Sequence, residues 1–348
     1  MPSTMKAVVK TKREPGAELQ QVEIPRPGPT DALVKVEVAA ICGSDAHRYH
    51  WTPAVAASNL KLPLILGHEY SGKVVELGPQ VRSLKIGDRV AGETHIPCQR
   101  CWLCKTGKEH ICKDMKCVGT HVHGCFADYV VIPESALRRV PDGLSAEQAA
   151  MLEPLGVAVH AVTRAEVSGK NVAVLGCGPI GLSAVAVAKA LGALKVLATS
   201  RSESKRALAL KMGADAALDA EAADLVAQVL AQTPHDVGGV DAIIELSGSP
   251  IALKQAFRML RNGGRIICVG HPQSPVTLEL SNDIIYREAE LIGIFGREMW
   301  QTWHIAESLL LSNQVDITPV LSARYPLAQF PAAFAAQAKL PGKVLLIP

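Results

Sequence analysis

No uninterrupted run of about 18 apolar residues occurs in the 348-residue chain, and the opening MPSTMKAVVKTKREPG lacks the apolar stretch of a secretion signal. Neither a membrane span nor export is expected. Charge of one sign is also not in excess. Lys plus Arg number 36 and Asp plus Glu 33, and the formal +3 gives no reason to expect a polyanion-binding surface. A nucleic-acid-binding zinc module would need a basic recognition helix beside its cysteines, and none adjoins them here. Repeats, low-complexity linkers and heptads are absent as well. What remains is a soluble, cytoplasmic protein without a membrane or nucleic-acid partner. At 48% hydrophobic and 20% charged residues, the chain is globular and long enough for two domains.

Nine cysteines stand at 42, 98, 101, 104, 112, 117, 125, 177 and 268, an odd number with six packed between 98 and 125. That distribution favours reduced thiolates around a metal over a spread disulfide framework. In CQRCWLCKTGKEHIC, Cys98, Cys101, Cys104 and Cys112 follow C-x2-C-x2-C-x7-C, a set able to close a tetrahedral structural zinc site. Spacing alone leaves an iron–sulfur centre or a redox thiol cluster open. Cys117 and Cys125 read as fillers of small buried spaces.

Short β-prone runs punctuated by Pro and Gly, such as ALVKVEVAA, YSGKVVELG and FADYVVIP, occupy the first part of the chain. From about Pro154 the texture changes to strand and helix alternation: NVAVLGCGPIGLSAVAVAKALGA, KVLATS, SKRALALKMGA, VDAIIELSG and GRIICVG. The expected organisation is α/β: a first domain over 1–153, a doubly wound parallel sheet over 154–294, and a return to the first domain over 295–348.

After the strand NVAVLG, the glycines Gly176, Gly178 and Gly181 are spaced for a tight turn, close pyrophosphate approach and close helix packing. Pro179 and Ile180 open the helix whose start would meet a phosphate. Roughly 20 residues on, where an acid would bind a ribose 2′-hydroxyl, the chain has Thr199, Ser200 and Arg201. Ser200 can donate to a 2′-phosphate and Arg201 can offset its charge, with help from Lys205 or Arg206. NADP is therefore expected ahead of NAD. The alternative is that these cations merely solvate a helix start.

Cys42 in AAICGSDAH, His68 and Glu69 in LGHEYSG and Glu153 in LEPLG supply a thiolate, an imidazole and carboxylates for a second, catalytic zinc with a position open to an alcohol. Either Glu69 or Glu153 can be the ligand, the other orienting the site.

Together, AICGSDAHRYHW, GHEYSGKVVELG, GETHIPCQRCWLC, LEPLG, GCGPIG and FGREMWQTW resemble the zinc-containing medium-chain alcohol dehydrogenase family over essentially the whole chain. The resemblance implies a Rossmann sheet inserted into a GroES-like irregular β-barrel catalytic domain, two zinc ions and a homotetramer. Ser44 matches the family's hydroxyl relay position, and His47 can continue the relay. THIPC and GREMWQTW are similar to the threonine-oxidising branch, which implies oxidation of L-threonine to 2-amino-3-oxobutanoate, and His95 occurs where that branch has a histidine near its substrate. Ser44 also suits a helix cap, His47 an exposed position and His95 a structural hydrogen bond.

Two departures bear on this reading. Ser200–Arg201 replaces the acid of NAD-linked threonine dehydrogenases, and Val157 replaces an asparagine of their LEPLGNAVH-like segment. A polyol or other secondary-alcohol dehydrogenase is the near alternative, and a non-catalytic nucleotide-binding or scaffold protein is the alternative of a different class.

Overall fold

The computed structural model describes residues 2–272 and 274–348. Contacts divide the chain into two units, Met1–Glu153 with Leu321–Pro348, and Pro154–Val320.

The first unit is built on a seven-stranded sheet centred on Asp31–Ala40, which pairs with Glu69–Leu77, Tyr129–Pro133 and the C-terminal strand Lys343–Ile347. KVLLI is an unbroken apolar run after its lysine, and nearly all of it is buried, as expected for a strand covered on both faces. Its register sets Leu345 opposite Ala40, two residues before Cys42. The preceding helix, Phe330–Gln337, stacks Phe334 on Tyr49 with ring centroids 4.2 Å apart. The last 28 residues thus brace the helix that begins beside Cys42. Ser145, in the turn PDGLS, caps the short helix Ala146–Ala150, accepting from Gln148 N at 3.1 Å while Gln148 Oε1 accepts from Ser145 N at 2.9 Å.

The second unit holds six parallel strands in the order Ala216–Asp219, Lys195–Ser200, Asn171–Leu175, Val240–Glu245, Leu260–Cys268, Glu290–Gly293. Numbered along the chain this is 3-2-1-4-5-6, the doubly wound dinucleotide-binding order, whose reversal falls beside the first strand. Asn171–Leu175 and Val240–Glu245 are almost wholly buried, as parallel strands covered on both faces must be.

One boundary differs from the sequence expectation. Residues 295–320 cluster with the second unit, and the return begins at Leu321 rather than at 295. Burial accounts for the shift. Helix Gln301–Leu311 buries Trp303, Ala306 and Leu310, Arg297 packs where a Cβ on Gly156 would come within 2.9 Å of its Cδ, and His160 Nδ1 lies 3.1 Å from Gly296 O. Trp300 meets Trp303 edge to face at 5.5 Å, a packing contact within the second unit. Among the described residues, no helix is long and apolar enough to cross a membrane.

Candidate active site

Cys42 caps the helix Gly43–Tyr49 in an extended conformation, and Asp45, three residues on, turns its Oδ2 back to accept from Cys42 N at 3.1 Å. The other oxygen of Asp45 lies 3.2 Å from His68 Nδ1. His68 follows Gly67, whose φ of +91° and whose missing Cβ, which would lie 2.3 Å from the Phe126 ring, allow the chain to turn tightly into strand Glu69–Leu77. Ligand atoms of Cys42, His68 and Glu69 lie within 4.8 Å of one another. With Nδ1 engaged by Asp45, Nε2 is the nitrogen of His68 free to bind a metal.

Electrostatics at this cluster favour a cation. Burial alone would lower the affinity of His68 for a proton, yet Asp45 and Cys42 outweigh it and hold the imidazole well above its usual range. Asp45 is itself held below the carboxylate range, the charges of His68 and Arg48 overcoming the burial that opposes ionisation. Lys343, on the C-terminal strand, already places one positive charge here: both oxygens of Glu69 accept from its Nζ, which also donates to Ile41 O at 3.2 Å. Glu153 is buried in the first turn of helix Leu152–Ala165, outside the 4.8 Å group, and its charge also acts on Lys343. A thiolate, an imidazole and a carboxylate around one point fit zinc.

Ser44 and His47 lie on the helix that starts at Cys42, Ser44 half-buried and His47 exposed. His95 is buried, with Nδ1 3.0 Å from Glu93 Oε1, which also accepts from His95 N at 3.0 Å.

The Cys98, Cys101, Cys104 and Cys112 sulfurs form the second cluster. Cys101 Sγ lies 3.5 Å from Cys104 Sγ and 3.8 Å from Cys112 Sγ. Four thiolates about 2.3 Å from a tetrahedral zinc would stand about 3.8 Å apart, so the set fits that ion. Backbone N–H groups of Cys98 and Asp114 point at Cys112 Sγ at 3.3 and 3.4 Å. The Cys104 N–H pulls the Cys101 thiol down to about 6, while burial pushes Cys104 up to about 12. Zinc binding deprotonates every thiol it takes up.

In the second unit, Gly176, Gly178 and Gly181 each do something different. Gly176 turns with φ +99°, a Cβ on Gly181 would strike Gly176 O at 1.9 Å, and among the described residues nothing lies within 4 Å of a Cβ on Gly178, where a pyrophosphate can approach. Pro179 and Ile180 open the helix Pro179–Ala190. A cavity of about 1130 Å³ runs from Gly176 and Gly178 past Thr199, Ser200 and Arg201 to Lys205. Arg206 does not line it; its Nη1 bonds Ser200 O at 2.8 Å and Arg201 O at 3.1 Å. Another wall is the turn Ser247–Ser249, held by Glu245, which accepts from Ser247 N at 2.8 Å, from Gly248 N at 3.1 Å and from the Ser247 hydroxyl. Burial raises the Glu245 carboxyl above its ordinary range against these hydrogen bonds.

Comparison with known proteins agrees with this geometry. Residues 28–142 match the alcohol dehydrogenase GroES-like domain and residues 179–312 the zinc-binding dehydrogenase domain. The chain belongs to the zinc-containing medium-chain alcohol dehydrogenase family, and it is a zinc-dependent, NAD(P)-linked oxidoreductase. It is 43% identical to an L-threonine 3-dehydrogenase of Bacillus licheniformis over the whole of both chains. A zinc-binding dehydrogenase of Sinorhizobium meliloti solved with NADP superimposes with a TM-score of 0.91 at 34% identity over both full chains. The 2R,3R-butanediol dehydrogenase of Bacillus subtilis does so with 0.88 at 30% identity over 99% of each.

Sequence reasoning missed four residues. Asp45 sits three residues after its cap, a spacing that could have flagged it. Glu93, Glu245 and Lys343 carry no local signal, since their partners are set by strand ends and, for Lys343, by a fold contact 274 residues away.

Proposed function

We propose that this enzyme oxidises the side-chain hydroxyl of L-threonine to 2-amino-3-oxobutanoate, with NADP taken in preference to NAD. The substrate assignment is supported by the threonine dehydrogenase of Bacillus licheniformis, which aligns over the full chain. The cofactor assignment is carried by one observation: Ser200, Arg201 and Lys205 line the cavity at the end of strand Lys195–Ser200, where an acid would favour a free ribose hydroxyl. The NADP bound to the Sinorhizobium meliloti structure is in keeping with it.

When bound, zinc supplies Lewis acidity at the alcohol oxygen and the nicotinamide supplies a hydride acceptor. Cys42 and His68 would hold the catalytic ion with one glutamate, Glu69 or Glu153, and the four clustered cysteines the structural one. Asp45 fixes the ring nitrogen that His68 presents. Ser44 takes up the hydroxyl proton and His47, exposed on the same helix, passes it to water. His95, oriented by Glu93, positions the substrate.

The working form is a cytoplasmic homotetramer. Its support is the edge strand Glu290–Gly293, with Tyr286, Leu291 and Phe295 exposed around it, and nine free cysteines. A second reading, a polyol or other secondary-alcohol dehydrogenase, is favoured by Val157 and by the likeness to butanediol dehydrogenase. A panel of threonine, butanediol and sugar alcohols assayed with both nucleotides tests both. Turnover of threonine with NADP supports the proposal, and efficient turnover of a polyol without threonine activity overturns the substrate.

A further inference from the structure

Arg206 stands just behind the rim of the nucleotide cavity. The rim is formed by Ser200, Arg201 and Ser202 at one strand end, by Lys205 on the helix that follows, and by Ala220–Ala223 after the neighbouring strand. Arg206 Nη1 reaches both. It donates to Ser200 O and Arg201 O and lies 3.2 Å from Asp219 Oδ2. Asp219 is opposite Ser200 in the parallel register, and its Oδ1 accepts from Glu221 N at 3.0 Å. Ala220 N donates to Ser200 O at 3.3 Å, which ties the two strand ends together.

Without the guanidinium, two carbonyl oxygens and a carboxylate would converge behind the rim with no positive charge between them. Such a group of acceptors attracts a neutral hydroxyl, which can donate to it, and repels a phosphate dianion. One strand over from the position where an NAD-preferring site carries its acid, this chain therefore holds a carboxylate already neutralised by an arginine.

We propose that Arg206 is a positioning residue for nucleotide discrimination: by bridging Ser200, Arg201 and Asp219 it sets the rim and cancels the acid that would otherwise disfavour a ribose 2′-phosphate. The proposal rests on the NADP reading given above. It assigns Arg206 no contact with the phosphate, in contrast to Arg201 and Lys205, which line the cavity.

The test is titration calorimetry on the full-length, zinc-loaded enzyme with 2′,5′-ADP and 5′-AMP at fixed ionic strength. The pair is partly exposed, 21% and 45% by side chain, so screening keeps the effect moderate. In Arg206→Met, 2′,5′-ADP should bind about tenfold more weakly and 5′-AMP within about twofold of wild type. Arg206→Met combined with Asp219→Asn should recover most of the lost 2′,5′-ADP affinity. Equal weakening of both nucleotides, no weakening of either, or no recovery in the double variant overturns the proposal. Failure of the unaltered enzyme to prefer 2′,5′-ADP overturns the NADP reading itself, and is seen before any substitution is made.

Discussion

The carboxylate of Asp45, fully buried, accepts from the backbone of Cys42 with one oxygen and faces His68 Nδ1 at 3.2 Å with the other. One side chain therefore orients two residues of the candidate catalytic metal cluster, one near in sequence and one 23 residues away.

Asp45→Asn can satisfy only one of those two partners as an acceptor, because its amide nitrogen donates. Zinc affinity at this cluster should fall about 10–100-fold, as measured by competition with a chelator. Ser44→Ala should leave that affinity unchanged while kcat drops on the order of a hundredfold. Unchanged zinc affinity in the asparagine variant would refute the orienting role.

The four-cysteine lobe makes a separate prediction. Trp102–Lys105 and Glu109–Ile111 are single turns too short to be stable alone, and the buried sulfurs of Cys101, Cys104 and Cys112 form the small core between them. Cys112→Ser should release one of two zinc equivalents, counted by metal analysis. It should also lower Tm by roughly 5–10 °C, since metal binding there is folding free energy. Retention of both equivalents would count against a structural zinc.

Glu245 ties the Ser247–Ser249 turn to the nucleotide cavity at an electrostatic cost. Unfolded, it ionises near about pH 4.3. In the fold, burial lifts that value, although hydrogen bonds from Ser247 and Gly248 oppose the shift. Between the two values the unfolded chain has lost a proton that the folded chain keeps, so this group's contribution to stability falls as pH rises and is lowest once the folded carboxyl ionises. Glu245→Gln removes the titration, and its Tm should decline less than that of wild type from pH 4 to pH 7. KM should rise for NADP and NAD alike, because the turn loses an acceptor. Parallel Tm profiles for the two proteins would sink this account.

Local patterns made much of this molecule legible. The spacing of Cys98 to Cys112 is a local property, and so is the glycine turn at Gly176, because in each the chemistry and the backbone geometry come from adjacent residues. The strand and helix alternation beyond Pro154 is legible for the same reason, since periodicity reports which face is buried. Long-range burial is not. Lys343 reads as one cation before an apolar strand, and only the pairing of Leu345 with Ala40 brings its ammonium to Glu69. The end of the second unit was misplaced because FGREMWQTW carries no turn signal that distinguishes a return from a buried extension, whereas Arg297 and Trp303 are held by contacts that only the fold makes. In the sequence Arg206 is interchangeable with Lys205 as a helper of Arg201, and the fold separates the two by placing Asp219 beside Arg206 while Lys205 lines the cavity.

That separation leads to the last prediction. Arg201 is exposed at the cavity, and among the described residues its guanidinium meets no acceptor, so it is available for a phosphate. A charge-assisted hydrogen bond contributes about 1.5–3 kcal/mol, which corresponds to roughly a 10–100-fold effect on kcat/KM. Exposure favours the lower end. Arg201→Ala should therefore reduce kcat/KM for NADP by about tenfold or somewhat more and leave NAD within about twofold. Because the lost interaction is between charges, the NADP deficit should shrink as salt rises from about 0.05 to 0.5 M. Steady-state assays with both nucleotides at two salt concentrations measure all four values. An Arg201→Ala enzyme that loses NAD and NADP efficiency equally would assign the residue to the fold of the rim, and NADP selectivity would then have to come from Ser200 and Lys205.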